Sequence, residues 1–326
     1  MFSVKCGLCK RDGAVYLPYM KRVFCESHFL NFFEKRVFRT IREFKMIKKG
    51  ERVALGYSGG KDSTVLLHIL AKLRKTHPFE LFAITVDVGI PGYSDKLVEV
   101  ARKECEKLGI PHRVVYFKKE LGFTTSDIYK RGKSPCSYCG VFRRRLLNIA
   151  AREEKADKLA IAHTLDDVAQ TVLMNMMRNE PLRLIRLVEP VVDEEAFVPR
   201  IKPLLRTPEK EVVQYALIKN LPFQTKGCPG MRVAFRHEIR KMLNALEEKH
   251  PGTKFKILNS FLSMEKLMRK GLDGEKLKIG KCKICKEPSS TDVCVFCKKK
   301  KEMEEGYGKR LETIFHWPFL PYRPKP

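Results

Sequence analysis

Between Arg52 and Ala162, short unbroken apolar runs alternate with stretches whose apolar positions recur at helical spacing. The runs lie at 52–57, 81–87 ("LFAITVD"), 113–117 ("RVVYF") and 158–162 ("KLAIA"). Each has the length of a buried strand. Helical patterns fill 62–75, 93–108 and 140–155, so the segment predicts a doubly wound parallel sheet of the α/β class. Ligands of such sheets bind beyond the carboxyl ends of the strands. Tyr57–Ser63 follows the first strand and Asp87 ends the second, which puts both at that rim. Further helices are expected at 165–179, 207–219, 236–249 and 253–270.

Before the first strand, Phe33, Val37, Ile41 and Phe44 repeat at helical spacing over 31–49, while Lys35, Arg36, Arg39 and Arg42 fall largely on other faces. This is a basic amphipathic helix, either docked with a solvated basic face or turned toward RNA. The expected division is a zinc finger at 1–30, this basic connecting helix at 31–50 and a catalytic domain at 51–230. A helical extension at 231–275, a second zinc finger at 276–300 and a tail at 301–326 complete it.

The two finger assignments rest on cysteine spacing. Cys6-x2-Cys9 is followed by Cys25-x2-His28, and Cys282-x2-Cys285 by Cys294-x2-Cys297. Two pairs of soft ligands on two turns suit a tetrahedral zinc ion, and four protein ligands close its sphere. Two structural zinc ions are therefore expected, stabilising modules too small for cores of their own.

Charge narrows the choice of partner. The formal net charge is +27 over 326 residues. A long polyanion such as tRNA accounts for such an excess, because each phosphate contact releases counterions. A hyperthermophile surface is the competing explanation, and only three glutamines occur in the chain. Lysines crowd the second cysteine set, which suggests a grip on nucleic acid or a solvated charge run. No apolar run is long enough for a bilayer and no secretory signal is visible, so the expectation is a cytoplasmic protein with no membrane contact.

Four cysteines remain. Cys105 lies in a helical pattern and reads as packing; Cys136 and Cys139 form "SPCSYCG", just before an expected helix bearing Arg143; Cys228 sits in "KGCPG". A helix start and nearby arginines lower a thiol pKa, which would make the pair nucleophilic. Spacing alone permits a redox pair, a three-thiolate zinc with an open position, or an iron–sulfur cluster with one iron left without a protein ligand.

The stretch "GYSGGKDSTVLLHIL" has a strand before it and a helical pattern after it, yet it departs from the Walker A spacing. Ser58, Gly59, Gly60, Lys61 and Ser63 form a set of donors at a helix start, suited to oxyanions. "SGGKDS" resembles the PP-loop of the ATP pyrophosphatase superfamily, which cleaves ATP between the α and β phosphates and adenylates an oxygen of the substrate. "HTLDDVAQT", His163 to Thr171, resembles that family's HxxDDxxxT segment. "PCSYCGVFRR" and "GCPG" resemble the three active-site cysteines of 2-thiouridine synthases. With the two terminal modules, nearly the whole chain resembles the TtuA-type group of tRNA 2-thiolation enzymes, kin of the wobble-uridine thiolases.

The resemblance implies that Cys136, Cys139 and Cys228 ligate a [4Fe–4S] cluster, and that Asp62 serves magnesium or loop geometry. It implies ATP and tRNA as substrates and a ubiquitin-like sulfur carrier with a C-terminal thiocarboxylate as partner. Adenylation of O2 of a uridine, 5-methyluridine of the thymine loop or a wobble uridine, would precede displacement of AMP by sulfur. Asp166 and Asp167 face about 100° apart on a helix and so are not a dyad. One is expected to cap the helix, and Asp167 is assigned the catalytic role. Arg143 would steady the adenylate or the incoming sulfur, and His163 contacts nucleotide or loop. A homodimer is compatible with this kind of fold, and a zinc-stapled RNA-binding scaffold without catalysis is the alternative from another class.

Overall fold

The computed structural model describes residues 4–185, 187, 197–224, 227–229, 235–271, 280–289 and 291–305. A hairpin of β1 (Val15–Leu17) and β2 (Arg22–Phe24) opens the chain and leads into α1 (Glu26–Glu43). The helix expected at 31 thus starts five residues earlier, with Cys25 as its N-cap and His28 on its first turn. Lys45 in the left-handed region follows its end.

The predicted alternation then appears as β3 (Arg52–Gly56), α2 (Lys61–Leu73), β4 (Glu80–Asp87), α3 (Ser94–Lys107) and β5 (His112–Tyr116). Short helices α4 (Phe117–Leu121) and α5 (Thr125–Lys130) lead to α6 (Pro135–Glu153) and β6 (Lys158–Ile161). Helix α6 begins earlier than expected because Pro135 suits its first position, so the cysteine pair lies inside the first turn rather than before it. Next come α7 (Leu165–Met177), α8 (Pro181–Ile185) and β7 (Arg200–Ile201), a strand too short for any sequence pattern to announce. Helices α9 (Glu209–Ile218), α10 (Phe235–Lys249) and α11 (Thr253–Gly271) come after it, then a hairpin of β8 (Gly280–Lys281) and β9 (Pro288–Ser289), then α12 (Val295–Glu305). Helix α12 crosses the boundary expected at 300; the rest of the expected tail, 306–326, lies outside the described residues.

The main sheet is parallel throughout, in the order β5-β4-β3-β6-β7. Its central strands β3 and β4 are largely buried on both faces, which explains their nearly continuous apolar sequences. On β3, Val53 and Leu55 enter one core and Ala54 the other; on β4, Leu81 and Ala83 oppose Phe82 and Ile84. The first core joins the sheet to α1, α2, α9 and α11 and takes in Leu17, Phe24 and Phe29 of the N-terminal module. The second joins it to α4, α5 and α6 and includes Met303 of α12. Neither terminal module stands apart. Among the described residues no helix is long and apolar enough to cross a membrane.

Helix α1 divides its basic residues unevenly. Lys35, Arg39 and Arg42 are exposed or half-buried, but Arg36 turns inward. Its guanidinium donates to Glu211 of α9 at 2.9 and 3.1 Å and to the Tyr19 hydroxyl at 2.7 Å, and lies 4.5 Å from the Phe32 ring centre. Glu211 is buried, so Arg36 neutralises a charge that would otherwise be costly there. Replacing Arg36 by Ala should lower unfolding free energy by about 3 kcal/mol, because it strands Glu211. In urea denaturation, adding Glu211→Gln should recover most of that loss; no recovery would show that the pair is not what the variant disturbs.

Candidate active site

The loop after β3 is folded by its own hydroxyls. Gly59 has φ +71°, and a Cβ there would lie 2.2 Å from the Leu97 carbonyl oxygen, so only glycine lets the loop press against α3. Ser63 donates to the Gly60 carbonyl at 2.9 Å and accepts from the Ser58 amide at 3.2 Å, with the two serine hydroxyls 3.0 Å apart. Ser63 is therefore an internal brace of the loop, while Ser58 is exposed at its lip. Gly60 is the N-cap of α2 and supplies no side-chain cap, so the first amides of α2 keep their capacity for an anion.

Lys61 lies between carboxylates, 2.9 Å from Asp62 and 2.6 Å from Glu209. Burial works against its charge, but those neighbours more than offset it and hold its pKa above the ordinary value. Arg240 clasps both oxygens of Glu209, at 2.9 and 3.1 Å. Burial raises Asp62 to about 6 against the pull of Lys61, and the charges of Glu209 and Asp167 add to the rise. Asp62 Oδ1 is buried without a hydrogen-bond partner. An orphaned carboxylate oxygen beside an anion-binding loop fits a divalent cation such as magnesium.

The two adjacent aspartates divide their work in an unexpected way. Asp167, the residue assigned to catalysis, is the cap: its Oδ2 accepts from the Thr164 amide at 3.0 Å, and Thr164 Oγ1 accepts from the Asp167 amide. Asp166 is buried, pairs with Lys254 of α11 and accepts from the Glu209 amide at 2.7 Å. Thus Asp166 anchors the start of α9, and with it Glu209, beside the loop. Asp87 stands at the end of β4, where its Oδ1 caps the turn through the Gly89 amide at 2.8 Å.

His163 comes two residues after β6. Its ring is solvent-accessible although protein surrounds it, as on the floor of a deep cleft. That enclosure holds its pKa near 4; Asp167 opposes the fall, and Lys202, Arg236 and Arg143 deepen it. The imidazole is neutral at ordinary pH. Arg143 lies within electrostatic reach of both His163 and the cysteines.

On α6, Cys136 feels the charges of Cys139 and Cys228, and Cys139 and Cys228 both act on Tyr93. The expected lowering of the thiol pKa is not what Cys136 shows. The protein around it, and then the neighbouring thiols Cys228 and Cys139, push it up against Arg143. A bound cationic group would offset the charge that the neighbouring thiols bring to Cys136. Among the described residues, Cys136, Cys139 and Cys228 are not grouped as closely as the two terminal sets.

The terminal sets do have single-ion spacing. Cys9 and Cys25 sulfurs are 3.9 Å apart, and Cys6 and Cys25 each lie 3.4 Å from His28 Nδ1. In the second set the sulfur pairs are 3.8 and 3.7 Å apart. A tetrahedral zinc with bonds of about 2.3 Å spaces its sulfurs by about 3.8 Å. Amides of Cys294 and Cys285 aimed at Cys282 lower its pKa to about 6, toward the thiolate a metal takes.

Comparison with known proteins places this geometry. The PP-loop domain family matches residues 30–246. The chain is 37% identical over 295 residues to the tRNA-5-methyluridine(54) 2-sulfurtransferase of Pyrococcus horikoshii, covering 90% of this chain and 93% of that one. The chain belongs to the PP-loop family of tRNA 2-thiolation proteins. It is also 37% identical over 313 residues to the tRNA 2-thiolation protein NcsA of Haloferax volcanii, covering 90% and 98%. Among solved structures, the U34-tRNA thiolase NcsA of Methanococcus maripaludis, with its [4Fe–4S] cluster, superposes with TM-score 0.77 at 34% identity, covering 97% of this chain and all of that one.

Several residues at the PP-loop site carry no local sequence signal. Glu209, Arg240 and Lys254 lie outside the motifs and enter through the packing of α9, α10 and α11. Arg236 braces α7, donating to Thr171 Oγ1 at 3.0 Å and to the Asp167 carbonyl at 3.3 Å. In sequence, Arg236 is indistinguishable from the many other basic residues of this chain.

Because Asp62 is neutral below about pH 6 in the folded chain, magnesium-dependent ATP binding should weaken as pH falls through that value. Titration calorimetry from about pH 5 to 7.5 reads this directly. Asp62→Asn should flatten the profile, and a variant that keeps the full pH response would remove Asp62 from the metal's ligands.

Proposed function

We propose that the chain is an ATP-dependent tRNA sulfurtransferase that converts a uridine to its 2-thio form, releasing AMP and pyrophosphate. The observation that carries this reading is convergence. Asp62 of the phosphate loop feels the charge of Asp167, Asp167 and Arg143 both act on His163, and Arg143 acts on Cys136, which also feels Cys139 and Cys228.

Lys61 and the first amides of α2 hold the phosphates beyond the α–β bond of ATP, with magnesium on Asp62 offsetting charge on the leaving pyrophosphate. The uracil loses its N3 proton and O2 attacks the α-phosphorus as the α–β bond breaks. That proton passes to water, Arg143 would steady the adenylate, and neutral His163 would contact the nucleotide. Sulfur then adds at C2, and AMP leaves with the original oxygen. Adenylation is needed because a carbonyl oxygen is a poor leaving group.

Cys136, Cys139 and Cys228 would hold a [4Fe–4S] cluster, which supplies an iron without a protein ligand where sulfide can be carried. The proposed donor of that sulfur is a ubiquitin-like carrier with a C-terminal thiocarboxylate. The terminal ligand sets take one zinc each, and the +27 charge serves tRNA. We assign 5-methyluridine of the thymine loop as the acceptor. The whole-chain likeness to a U34-tRNA thiolase makes the wobble uridine the second reading.

Anaerobic incubation of iron-reconstituted protein with ATP, magnesium, sulfide and unmodified tRNA should give a 2-thiouridine-type nucleoside, mapped by digestion and mass spectrometry. Its position decides between the two acceptors, and absence of any thionucleoside from folded, ATP-binding protein would reject the reading. Lys61→Ala should lower the rate by about 10²-fold or more while zinc content stays at two per chain. A rate near wild type would reject the role given to the loop.

A further inference from the structure

The second metal set does more than close a hairpin. Helix α12 starts directly after Cys294 and carries Cys297, so ligation pins its first turn. One face of α12 then runs along the start of α6. Phe296 meets Phe142 edge-on at 5.4 Å, Lys299 Nζ lies 3.7 Å from the centre of the Tyr138 ring, and Glu302 accepts from the Tyr138 hydroxyl. Met303 is buried in the same core, and its carbonyl accepts from Arg131. Further along α6, Arg145 donates to Cys285 Sγ at 3.3 Å and pairs with Glu287 at 3.0 Å, and Arg152 reaches the same carboxylate.

Tyr138 is one of the two residues between Cys136 and Cys139. It is buried, while Cys136 beside it is exposed. The turn that carries the pair has weak support of its own: the N-cap Ser134 makes no side-chain cap bond, and Gly132 with φ +66° precedes it. An uncapped first turn opens at low cost unless tertiary contacts hold it.

We propose that the C-terminal metal module is a clamp on the cysteine pair: α12 grips Tyr138 and so fixes the first turn of α6, setting the position and exposure of Cys136 and Cys139. Tyr138 is a positioning residue, and metal at the four terminal cysteines is what holds its partner helix in place. The significance of the clamp rests on the reading of the pair as sulfur-handling, but its existence does not, and thiol access can be measured without iron, ATP or tRNA.

The test uses reduced full-length protein loaded with zinc and kept free of iron. Pulsed alkylation with iodoacetamide, resolved by peptide mass spectrometry, gives rates at Cys136 and Cys139, with buried Cys105 as internal reference. Tyr138→Phe keeps the ring and removes the hydroxyl bonded to Glu302. It should retain two zinc ions and raise the Cys139 rate about threefold, while Cys294→Ser should lose one zinc and raise it about tenfold. With iron and sulfide then supplied and the protein reduced with dithionite, Tyr138→Phe should bind iron as wild type does but show a shifted electron paramagnetic resonance spectrum. Unchanged rates at both cysteines would overturn the proposal, as would a rise shared equally by Cys105, which would signify general loosening. Should Cys294→Ser fail to fold, Tyr138→Phe decides alone. Failure of the thiolation assay with a positive alkylation result would reject the reaction and leave the clamp standing.

Discussion

The pairing of β3 with β6 is the constraint on which the site depends. The chain winds from β3 through β4 to β5 in one direction and from β6 to β7 in the other, so the order of strands reverses between these two. A crevice opens at such a reversal, beyond the carboxyl ends of the strands. Gly56 and Ile161 stand opposite each other at that edge. The chain leaves Gly56 as the phosphate loop and leaves Ile161 toward His163 and the Thr164–Asp167 cap. Two segments distant in sequence become the two lips of one cleft through a short run of paired residues.

A second layer of order is electrostatic. Lys61 is held by Glu209, Glu209 by Arg240, and the amide of Glu209 by Asp166, which Lys254 neutralises. This chain of pairs commits α9, α10 and α11 to the phosphate loop, so the segment that reads as a helical extension helps to build the nucleotide site. It also places three carboxylates, Asp62, Asp167 and Glu209, where a polyphosphate would meet them. Lys61 and Arg240 offset part of that negative charge, and Asp62 still resists ionising because burial in a partly dry site outweighs the pull of Lys61.

Legibility in the sequence depends on how local each signal is. Four strands are legible because their apolar runs are unbroken; β7 pairs only Arg200 and Ile201, and no periodicity fits in two residues. The phosphate loop and the two ligand sets are legible because their chemistry is confined to a few neighbouring positions. The roles of Asp166 and Asp167 are not, since both occupy the first turn of one helix and only their distant partners tell them apart. Arg36 has the same difficulty: on a helix wheel it belongs with the other basic residues of α1, yet Glu211 of α9 draws it inward. Cys136 departs from its sequence-based expectation for a related reason. A helix start and nearby arginines argue for a low pKa, but loss of solvation beside the surrounding protein and two more thiols brought in by the fold argue more strongly the other way.

The terminal modules show how a small knot with a metal-ligand set gains purpose from its packing partners. The N-terminal one lends Leu17, Phe24 and Phe29 to the main core and hands its chain directly to α1, whose Arg36 and Glu34 then tie α1 to α9. The C-terminal one lends Met303 to the opposite core and sets α12 against α6. A metal at each ligand set would make the knot rigid, and rigidity passes on only through buried contacts. On the cysteine side those contacts end at Tyr138, in a first turn whose N-cap Ser134 makes no side-chain cap bond. A helix start without a side-chain cap gains order from an element packed against it, and α12 meets α6 at that place.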